Sequence, residues 1–367
     1  MEKSKKFSIF GVIFFILLIV VVLFNQNQNQ NQSQSQSQNQ GELSPYKKYD
    51  ASFFDVFDTI TYVIGYSTSK EEFEGQVALL KEKLEYYHRL YDIYNDYEGI
   101  SNIKTINDNA GIAPVAVSKD IVDLLLYSKK MYEETKGQMN VAMGSVLKIW
   151  HDYRDAGTNN PANASLPPME DLQEASVYCD IEQIVINEEE LTVFLQDENM
   201  SIDVGSIGKG YAVQRVGEFA KEIGMESLLL SVGGNVYAVG SKIDGSDWRV
   251  GIQNPDSKSD EAYVRKVDVS DVSVVTSGDY QRYYVVDGEH YCHIIDSDTL
   301  MPADYFASVS IICKDSGRAD ALSTSVFNMP FEEGLAFVNG LEDVEAMWIL
   351  NDGTVEYSEG FELYVAD

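Results

Sequence analysis

An apolar segment near the N-terminus divides the chain into parts that cannot share one folded core. The run FSIFGVIFFILLIVVVLF, residues 7–24, carries no charge and is just long enough to cross a hydrocarbon core of about 30 Å as a helix. Lys3, Lys5 and Lys6 precede the run and no basic residue directly follows it, so the positive-inside rule places the N-terminus in the cytoplasm. We predict a signal anchor over residues 1–24, with the rest of this single-pass protein at the extracytoplasmic face of the cell membrane.

A cleaved signal peptide is the alternative for this segment. Cleavage favours a shorter apolar stretch and small residues in an A-x-A-like pattern, whereas VLFNQNQ, residues 22–28, offers bulky side chains and then amides. Residues 25–40 are exclusively Asn, Gln and Ser, so they have nothing apolar to bury and favour a flexible linker over residues 25–43. An amide-rich aggregation tract is the alternative there, and residues 44–367 remain as the folded domain.

Charge and cysteine content limit what the folded domain can bind and what can hold it together. The formal net charge is −32, which argues against contact with nucleic acid or an anionic membrane surface through a general basic face. Cys179, Cys292 and Cys313 are too few for a disulfide scaffold, and an odd number leaves at least one thiol unpaired. We therefore expect a fold that depends on its hydrophobic core and contains buried free thiols.

The order of predicted helices and strands indicates an α+β fold. Apolar residues recur at helical spacing from Glu71 to Asn95, and a second helix is predicted from an N-cap at Ser118 to a stop at Gly137. The segment 157–168 is predicted to be a loop because it is rich in Gly, Asn and Pro. Strand-like runs include 183–187, 191–196, 201–204, 227–240, 248–252, 262–269, 272–278, 283–286, 290–295 and a late hairpin at 346–358. Without a regular βαβ alternation, this order favours largely antiparallel sheets with packed helices.

The segment SIDVGSIGKGYAVQ, residues 201–214, places a glycine-rich turn between a predicted strand and a helix. A Walker P-loop requires G-x-x-x-x-G-K-[ST], but the glycines here are spaced as GSIGKG and Lys209 is followed by Gly210. The dinucleotide fingerprint G-x-G-x-x-G fails on spacing as well. Two explanations stay open: an anion site at the unpaired amides of the helix N-terminus, assisted by Lys209, and close packing of strand against helix.

Two later segments carry side chains suited to catalysis. In RADALSTSVF, residues 318–327, Asp320 and Thr324 lie four residues apart, so on a helix they share one face and can offer a carboxylate and a hydroxyl to one hard cation. A helix N-cap role for Asp320 is the alternative. In TSGDYQRYYVVDGEHYCHIID, residues 276–296, His293 lies at a predicted strand end beside Asp296. A structural role is the alternative for His293.

Five motifs together carry a resemblance that no single motif carries. DVGSIGKGYA, SVGGN, TSGDYQR, HIID followed by Thr299 and Pro302, and ADALST occur in the order and spacing of the ApbE family, the FAD:protein FMN transferases. The similarity runs from about Ser44 to the C-terminus. It implies an ApbE-like fold and a Mg²⁺-dependent enzyme that passes FMN from FAD to a Thr or Ser side chain of an acceptor protein and releases AMP. The implied acceptor is an exported FMN-binding-domain protein of a redox chain.

The resemblance also implies roles for individual residues. The metal ligands fall on Asp320, Thr324 and the main-chain oxygen of Ser206, and His293 takes the place of the base that accepts the proton of the acceptor hydroxyl. The implied FAD contacts fall on Tyr94, Gln138, Met139, Asn140, Asp203, Lys209 and Ile295. The glycines of the loop would then give the backbone room to approach the cation and the pyrophosphate.

The sequence departs from the family pattern at three places. Phe57-Asp58-Thr59 stands for Met-Gly-Thr, Met139-Asn140 for Phe-Asp, and Ser297 and Leu300 for Pro and Gly after HIID. Asparagine at position 140 removes a charge but keeps a hydrogen-bond acceptor, and the metal and histidine positions are intact. Two other activities stay open: a Mg²⁺-dependent FAD pyrophosphatase that uses water as acceptor, and a non-catalytic FAD-binding protein.

Overall fold

The structure, a computed structural model, describes residues 44–366. The predicted signal anchor (1–24) and linker (25–43) lie outside the described residues. No helix within residues 44–366 combines the length and apolar character needed to cross a membrane. The helices of this range are α1 Lys70–Tyr91, α2 Ile103–Asp108, α3 Lys119–Glu134, α4 Gly144–Asn159, α5 Met169–Ser176, α6 Gly208–Glu222, α7 Ser316–Phe327 and α8 Phe331–Asn339.

Eight of the strands in the described range form one large sheet. The strands of this range are β1 Lys47–Val56, β2 Thr59–Ser67, β3 Val115–Ala116, β4 Ile184–Asn187, β5 Thr192–Leu195, β6 Leu228–Val232, β7 Asn235–Val239, β8 Trp248–Gln253, β9 Tyr263–Val269, β10 Val272–Gly278, β11 Tyr283–Val286, β12 Glu289–Cys292, β13 Phe306–Cys313, β14 Val344–Leu350 and β15 Val355–Tyr357. The large sheet has the order β1-β2-β6-β7-β10-β13-β14-β15, and all its neighbouring strands are antiparallel. The predicted α+β class with largely antiparallel pairing is confirmed.

The large sheet is covered on both faces. Helices α1 and α6 bury Phe73, Leu84 and Val216 against one face, together with Leu230 of β6. Alternate side chains of a strand point to opposite faces, and β14 shows both environments. Trp348 joins the apolar cluster of α7, and the preceding residue joins the cluster beneath the β8–β9 hairpin. The sheet therefore forms the middle layer of three.

One pairing between strands far apart in sequence completes this sheet. Strand β2 pairs with β6, so that Val63 lies opposite Leu230. The hairpins β1–β2 and β6–β7, which are far apart in sequence, therefore become neighbours. The turn of the second hairpin uses Gly233 and Gly234 with φ of 52° and 92°, a left-handed conformation that favours glycine. This turn reaches the glycine-rich segment, because Lys209 Nζ lies 3.4 Å from the Gly233 carbonyl oxygen.

Several predictions of local structure need correction. Residues 201–204 form no strand, since only Ser201 makes an isolated bridge, to Met143. The run 227–240 forms two strands rather than one, because of the turn just described. Gly157 belongs to α4 and not to a loop; a Cβ at that position would lie 2.7 Å from Tyr284 Cδ2. Glycine therefore serves the packing of β11 on α4, a tertiary cause that composition does not reveal.

Candidate functional site

The glycine-rich segment leads into α6, and that helix packs unusually closely on α7. The Gly210 amide donates a 2.7 Å hydrogen bond to Asp320 Oδ2. A Cβ at position 210 would lie 2.3 Å from the Ser316 carbonyl oxygen and 2.4 Å from Asp320 Cβ. Gly210 is therefore required by the approach of the two helices. This corrects the expectation that all the loop glycines make room for a ligand.

Replacing Gly210 with alanine should destabilise the protein by about 1–3 kcal/mol, because the new methyl group forces α6 and α7 apart. Urea unfolding measures this loss. Gly75→Ala is the matched control: Gly75 lies on α1 with no atom within 4 Å of the new Cβ, and alanine there should stabilise the helix by about 0.5–1 kcal/mol. Equal stability of Gly210→Ala and wild type would contradict this account of the contact.

Asp320, one of the predicted metal ligands, lies where α6 and α7 touch. Asp320 is only 5% exposed, and burial raises the pKa of its carboxyl above the usual range, with Lys209 opposing the shift. The Gly210 amide lies in the first turn of α6, where amides have no acceptor within the helix, and it donates to Asp320. Ser206 lies in the turn two residues before α6. Thr324 lies one turn further along α7 and is half-buried. The predicted ligands are therefore a carboxylate and a hydroxyl one turn apart on α7 and a main-chain oxygen just before α6.

These donors suit a small hard cation such as Mg²⁺. The cap of α7 is Asp315, which accepts from the Arg318 amide at 2.8 Å, so the N-cap alternative for Asp320 is wrong. Asn235 lies beside Asp320 and lowers its carboxyl pKa, yet neither polar atom of this fully buried amide meets a partner at normal hydrogen-bonding geometry. A buried carboxylate beside an unsatisfied amide is stabilised by a cation that accepts oxygen ligands.

The possible metal centre does not depend on a cluster of acidic, His and Cys side chains in the described part of the chain. Within residues 44–366, no group of three or more such side chains is placed to hold an ion. The set described above has a single carboxylate, and its other donors are a hydroxyl and a main-chain oxygen. Mg²⁺ commonly keeps several waters and uses one or two carboxylates together with substrate phosphates, so the donors present fit this ion.

Lys209 lies at the centre of the charged groups of the site. Its ammonium points at the β6–β7 turn, and burial lowers its pKa, which the nearby Asp320 opposes. It is close enough to His293 to lower the pKa of that imidazole as well. His293, Lys209 and Asp320 therefore lie near one another, although they come from the residue after β12, from α6 and from α7.

His293 directly follows β12, at the base of the β11–β12 hairpin. Its Nδ1 lies 3.2 Å from the carbonyl oxygen of Arg282, the residue that precedes β11. Burial and the cations Arg282, Arg154 and Lys209 lower the pKa of His293 to about 3. The neutral imidazole therefore carries its proton on Nδ1, which donates to the Arg282 carbonyl, and Nε2 keeps a free lone pair. This is the protonation state that a general base needs.

Tyr94 and Asp203 are joined by a residue that the sequence did not indicate. The Tyr94 hydroxyl lies 3.0 Å from Nδ1 of His151, and Nε2 of His151 lies 4.0 Å from Asp203 Oδ2. Asp203 is 9% exposed, and its Oδ1 accepts from the Gly205 amide at 2.8 Å. In contrast, Tyr94 is 63% exposed, so the ring is open to a ligand while its hydroxyl is held.

The other predicted FAD contacts lie around the loop that follows α3. Asn140 donates to the Cys179 carbonyl oxygen at 2.8 Å and accepts from the Ala142 amide at 2.9 Å, so its side chain supports the turn. Met139 is 1% exposed, which leaves only its main chain for a ligand. Gln138 Nε2 lies 3.2 Å from Asp298 Oδ2. A cavity of about 250 Å³ is lined by Asn140, Asp298 and neighbours from both loops.

Ile295 lies on the second loop that lines this cavity, between β12 and β13. It is 7% exposed, and its carbonyl oxygen accepts from Asn328 Nδ2 at 3.3 Å. Asp296 organises the turn by accepting from the Asp298 amide at 2.8 Å and the Thr299 hydroxyl at 3.1 Å. The motif HIID thus places His293 directly before a hydrogen-bonded turn, and Asp298 of this turn contacts Gln138.

Helix α4 contributes His151 and Arg154, and no motif pointed to either. Both side chains are half-buried; they lie three residues apart and so share one face of the helix. The helix itself had a signal, since Val146 and Trp150 are apolar at helical spacing and both are buried. No sequence signal indicated a function for the polar residues of this helix, because that function follows from their proximity to Tyr94 and His293.

Comparison with known proteins identifies the family. A sequence model of the ApbE family matches residues 57–348. The chain belongs to the ApbE family. FAD:protein FMN transferases from Klebsiella pneumoniae (strain 342) and Treponema pallidum (strain Nichols) are 29% and 32% identical to it. These alignments cover 74% and 71% of this chain and 82% and 74% of the two relatives. This ApbE chain is accordingly a transferase.

Solved ApbE structures share the fold. The crystal structure of an ApbE protein from Thermotoga maritima MSB8 is 26% identical, with a TM-score of 0.77 over 88% of this chain and 100% of that one. The flavin transferase ApbE from Vibrio cholerae is 20% identical, with a TM-score of 0.70 over 87% of this chain and 100% of that one. The predicted ApbE-like fold is confirmed for the described part of the chain.

Proposed function

We propose that this chain transfers FMN from FAD to a Thr or Ser hydroxyl of an acceptor protein and releases AMP. The relatives named above support the reaction. The proximity of His293, Lys209 and Asp320 supports the location of the active site. The observation that carries the proposal is the neutral His293, whose free Nε2 lies among cations. A base next to positive charge is suited to activating a hydroxyl against an anionic phosphoryl group.

The reaction breaks one bond and forms one. The acceptor oxygen attacks the FMN-side phosphorus of the FAD pyrophosphate, the bond from that phosphorus to the AMP oxygen breaks, and AMP leaves with the bond electrons. His293 Nε2 takes the proton of the hydroxyl, because a neutral threonine oxygen is a poor nucleophile. Lys209 and Arg282 would offset the charge of the pyrophosphate, which lets an acidic protein bind a dianionic substrate.

We propose that Mg²⁺ is required. Asp320, Thr324 and the main-chain oxygen of Ser206 would hold it, and the bound ion would supply neutralisation of charge on the pyrophosphate oxygens. The buried Asp320 carboxylate and the unsatisfied Asn235 amide support this assignment.

The acceptor and location belong to the same proposal. We infer an exported FMN-binding-domain protein of a redox chain as acceptor, modified at the outer face of the cell membrane to which residues 1–24 anchor the enzyme. The support is the uncharged run 7–24 with lysines before it. A periplasm-active reporter fused after residue 43 should be active; an inactive reporter there, with activity in the cytoplasm, would refute the location.

The deciding experiment incubates the full-length chain with FAD, MgCl₂ and such an acceptor domain, and then weighs the acceptor. Transfer predicts a mass gain equal to FMN less one water, with one AMP per adduct. The matched control replaces the target threonine of the acceptor with valine, and a chelator tests the metal. Free FMN with an unmodified acceptor would indicate a pyrophosphatase, and bound but unchanged FAD would indicate a non-catalytic binding protein.

The pH dependence of transfer follows from the state of His293. Because its pKa is lowered to about 3, the imidazole stays neutral as the pH falls below 6.5, where an ordinary histidine becomes protonated. We expect kcat/KM for FAD, which reports the free enzyme, to show no acid limb near pH 6.5 between about pH 5 and pH 8. A half-maximal value near pH 6.5 would contradict the assigned environment.

A further inference from the structure

One half-buried histidine of the described chain has no part in the chemistry proposed above. His151 projects from α4 between Tyr94 and Asp203, at 3.0 Å from the hydroxyl of the first and 4.0 Å from a carboxylate oxygen of the second. The three residues come from separate elements: the segment after α1, helix α4 and the loop before α6. His151 therefore lies between two positions that are expected to contact the dinucleotide, and it is hydrogen-bonded to the first of them.

The contacts define how the ring is held. Nδ1 shares a hydrogen bond with the Tyr94 hydroxyl, whereas Nε2 is 4.0 Å from Asp203 Oδ2, which is longer than a hydrogen bond. Burial lowers the pKa of His151, with Asp203 opposing the shift, which favours the neutral imidazole. The rings of Tyr94 and His151 are 6.2 Å apart at an angle of 44°, so they do not stack and the Tyr94 face stays uncovered.

Tyr94 needs such a restraint. Its backbone amide donates to Asp92 Oδ1 at 2.6 Å, but its side chain is 63% exposed and would otherwise populate several rotamers. Fixing a side chain before the ligand arrives reduces the entropy lost on binding. A planar, exposed ring in a fixed orientation is suited to packing against a flat aromatic ligand.

We propose that His151 is a positioning residue for FAD: through its hydrogen bond to the Tyr94 hydroxyl, it holds the Tyr94 ring in the orientation that receives the dinucleotide. This inference rests on the proposed function, since FAD is the ligand concerned. His151 does not touch the reacting atoms, so it should change the affinity for FAD much more than the rate of transfer at saturating FAD.

The test compares four variants of the full-length chain: His151→Leu, His151→Gln, Tyr94→Phe and the double variant His151→Leu/Tyr94→Phe. The dissociation constant for FAD is measured by flavin fluorescence without acceptor. His151→Leu and Tyr94→Phe should each weaken FAD binding by about fivefold, which is the effect of losing one neutral hydrogen bond. The double variant should be no weaker than either single one, because both remove the same contact. Glutamine, which can accept from the hydroxyl, should restore affinity to within about twofold.

Controls separate this inference from the proposed function. His290→Leu changes an exposed histidine that stacks on Tyr283 at 4.5 Å, and it should leave FAD affinity unchanged. Thermal unfolding of each variant checks the fold, and glutamine at position 151 keeps the test valid if leucine unfolds the protein. Multiplying effects in the double variant, or wild-type affinity in His151→Leu, would overturn the positioning role while leaving transfer intact. Wild-type protein that fails to bind FAD would overturn both proposals.

Discussion

Asp320→Asn should reduce Mg²⁺-dependent transfer by more than about 100-fold without destabilising the fold. Asparagine keeps an oxygen for the Gly210 amide but removes the charge that a cation requires, and the loss of even an indirect metal contact costs about 10–100-fold. Because burial raises the pKa of Asp320, ionising this carboxyl costs free energy in the absence of a cation. Thermal unfolding without Mg²⁺ should therefore occur at the same or a higher temperature in the variant.

Two measurements make this prediction specific. Transfer is followed against MgCl₂ concentration in wild type and Asp320→Asn, and added Mg²⁺ should raise the unfolding temperature of wild type alone. Asp343→Asn is the control, because Asp343 is an exposed carboxylate that pairs with Lys314 at 2.6 Å. A variant with full activity would refute the metal assignment, and a large loss of stability without Mg²⁺ would point to a structural carboxylate.

His293→Ala should lower transfer by about 10²–10⁴-fold, the usual contribution of a positioned general base. Binding of FAD should change little, because the imidazole acts on the acceptor hydroxyl. The rate at saturating FAD and acceptor is compared with the FAD dissociation constant in the same preparation. His290→Ala is the matched control, since it changes a histidine of the same hairpin on its exposed face. Parallel losses of binding and rate in His293→Ala would indicate a structural histidine.

The parts of the site that lie on continuous motifs could be predicted from the sequence. The spacing of Asp320 and Thr324 predicted one face of a helix, and α7 has both residues in its interior. The loop before α6 was recognised as the entry to a helix, although the reason for Gly210 is a helix–helix contact. Local rules suffice where a residue acts through its own helix or turn.

The contribution of α4 could not be predicted, because it depends on contacts between distant segments. Gly157 was interpreted as a loop residue by composition, while its actual role is to admit Tyr284. His151 acquires its role from Tyr94 and Asp203, which are far from it in sequence. The motif also did not reveal that the Asn140 amide donates to the Cys179 carbonyl oxygen and accepts from the Ala142 amide. These roles depend on tertiary contacts, which form only when distant segments have packed together.

The pairing of Val63 with Leu230 sets an order of events during synthesis. At about 5–20 residues per second, β2 leaves the ribosome roughly 10–30 s before β6 does. Until then the β1–β2 hairpin has an unpaired edge, which is a site for aggregation unless chaperones or charge protect it. The large sheet cannot be completed before β6 is synthesised, so β1 and β2 wait for their partner during that interval. Late completion of the sheet would suit the export proposed above, because a chain that crosses a translocation channel must still be unfolded.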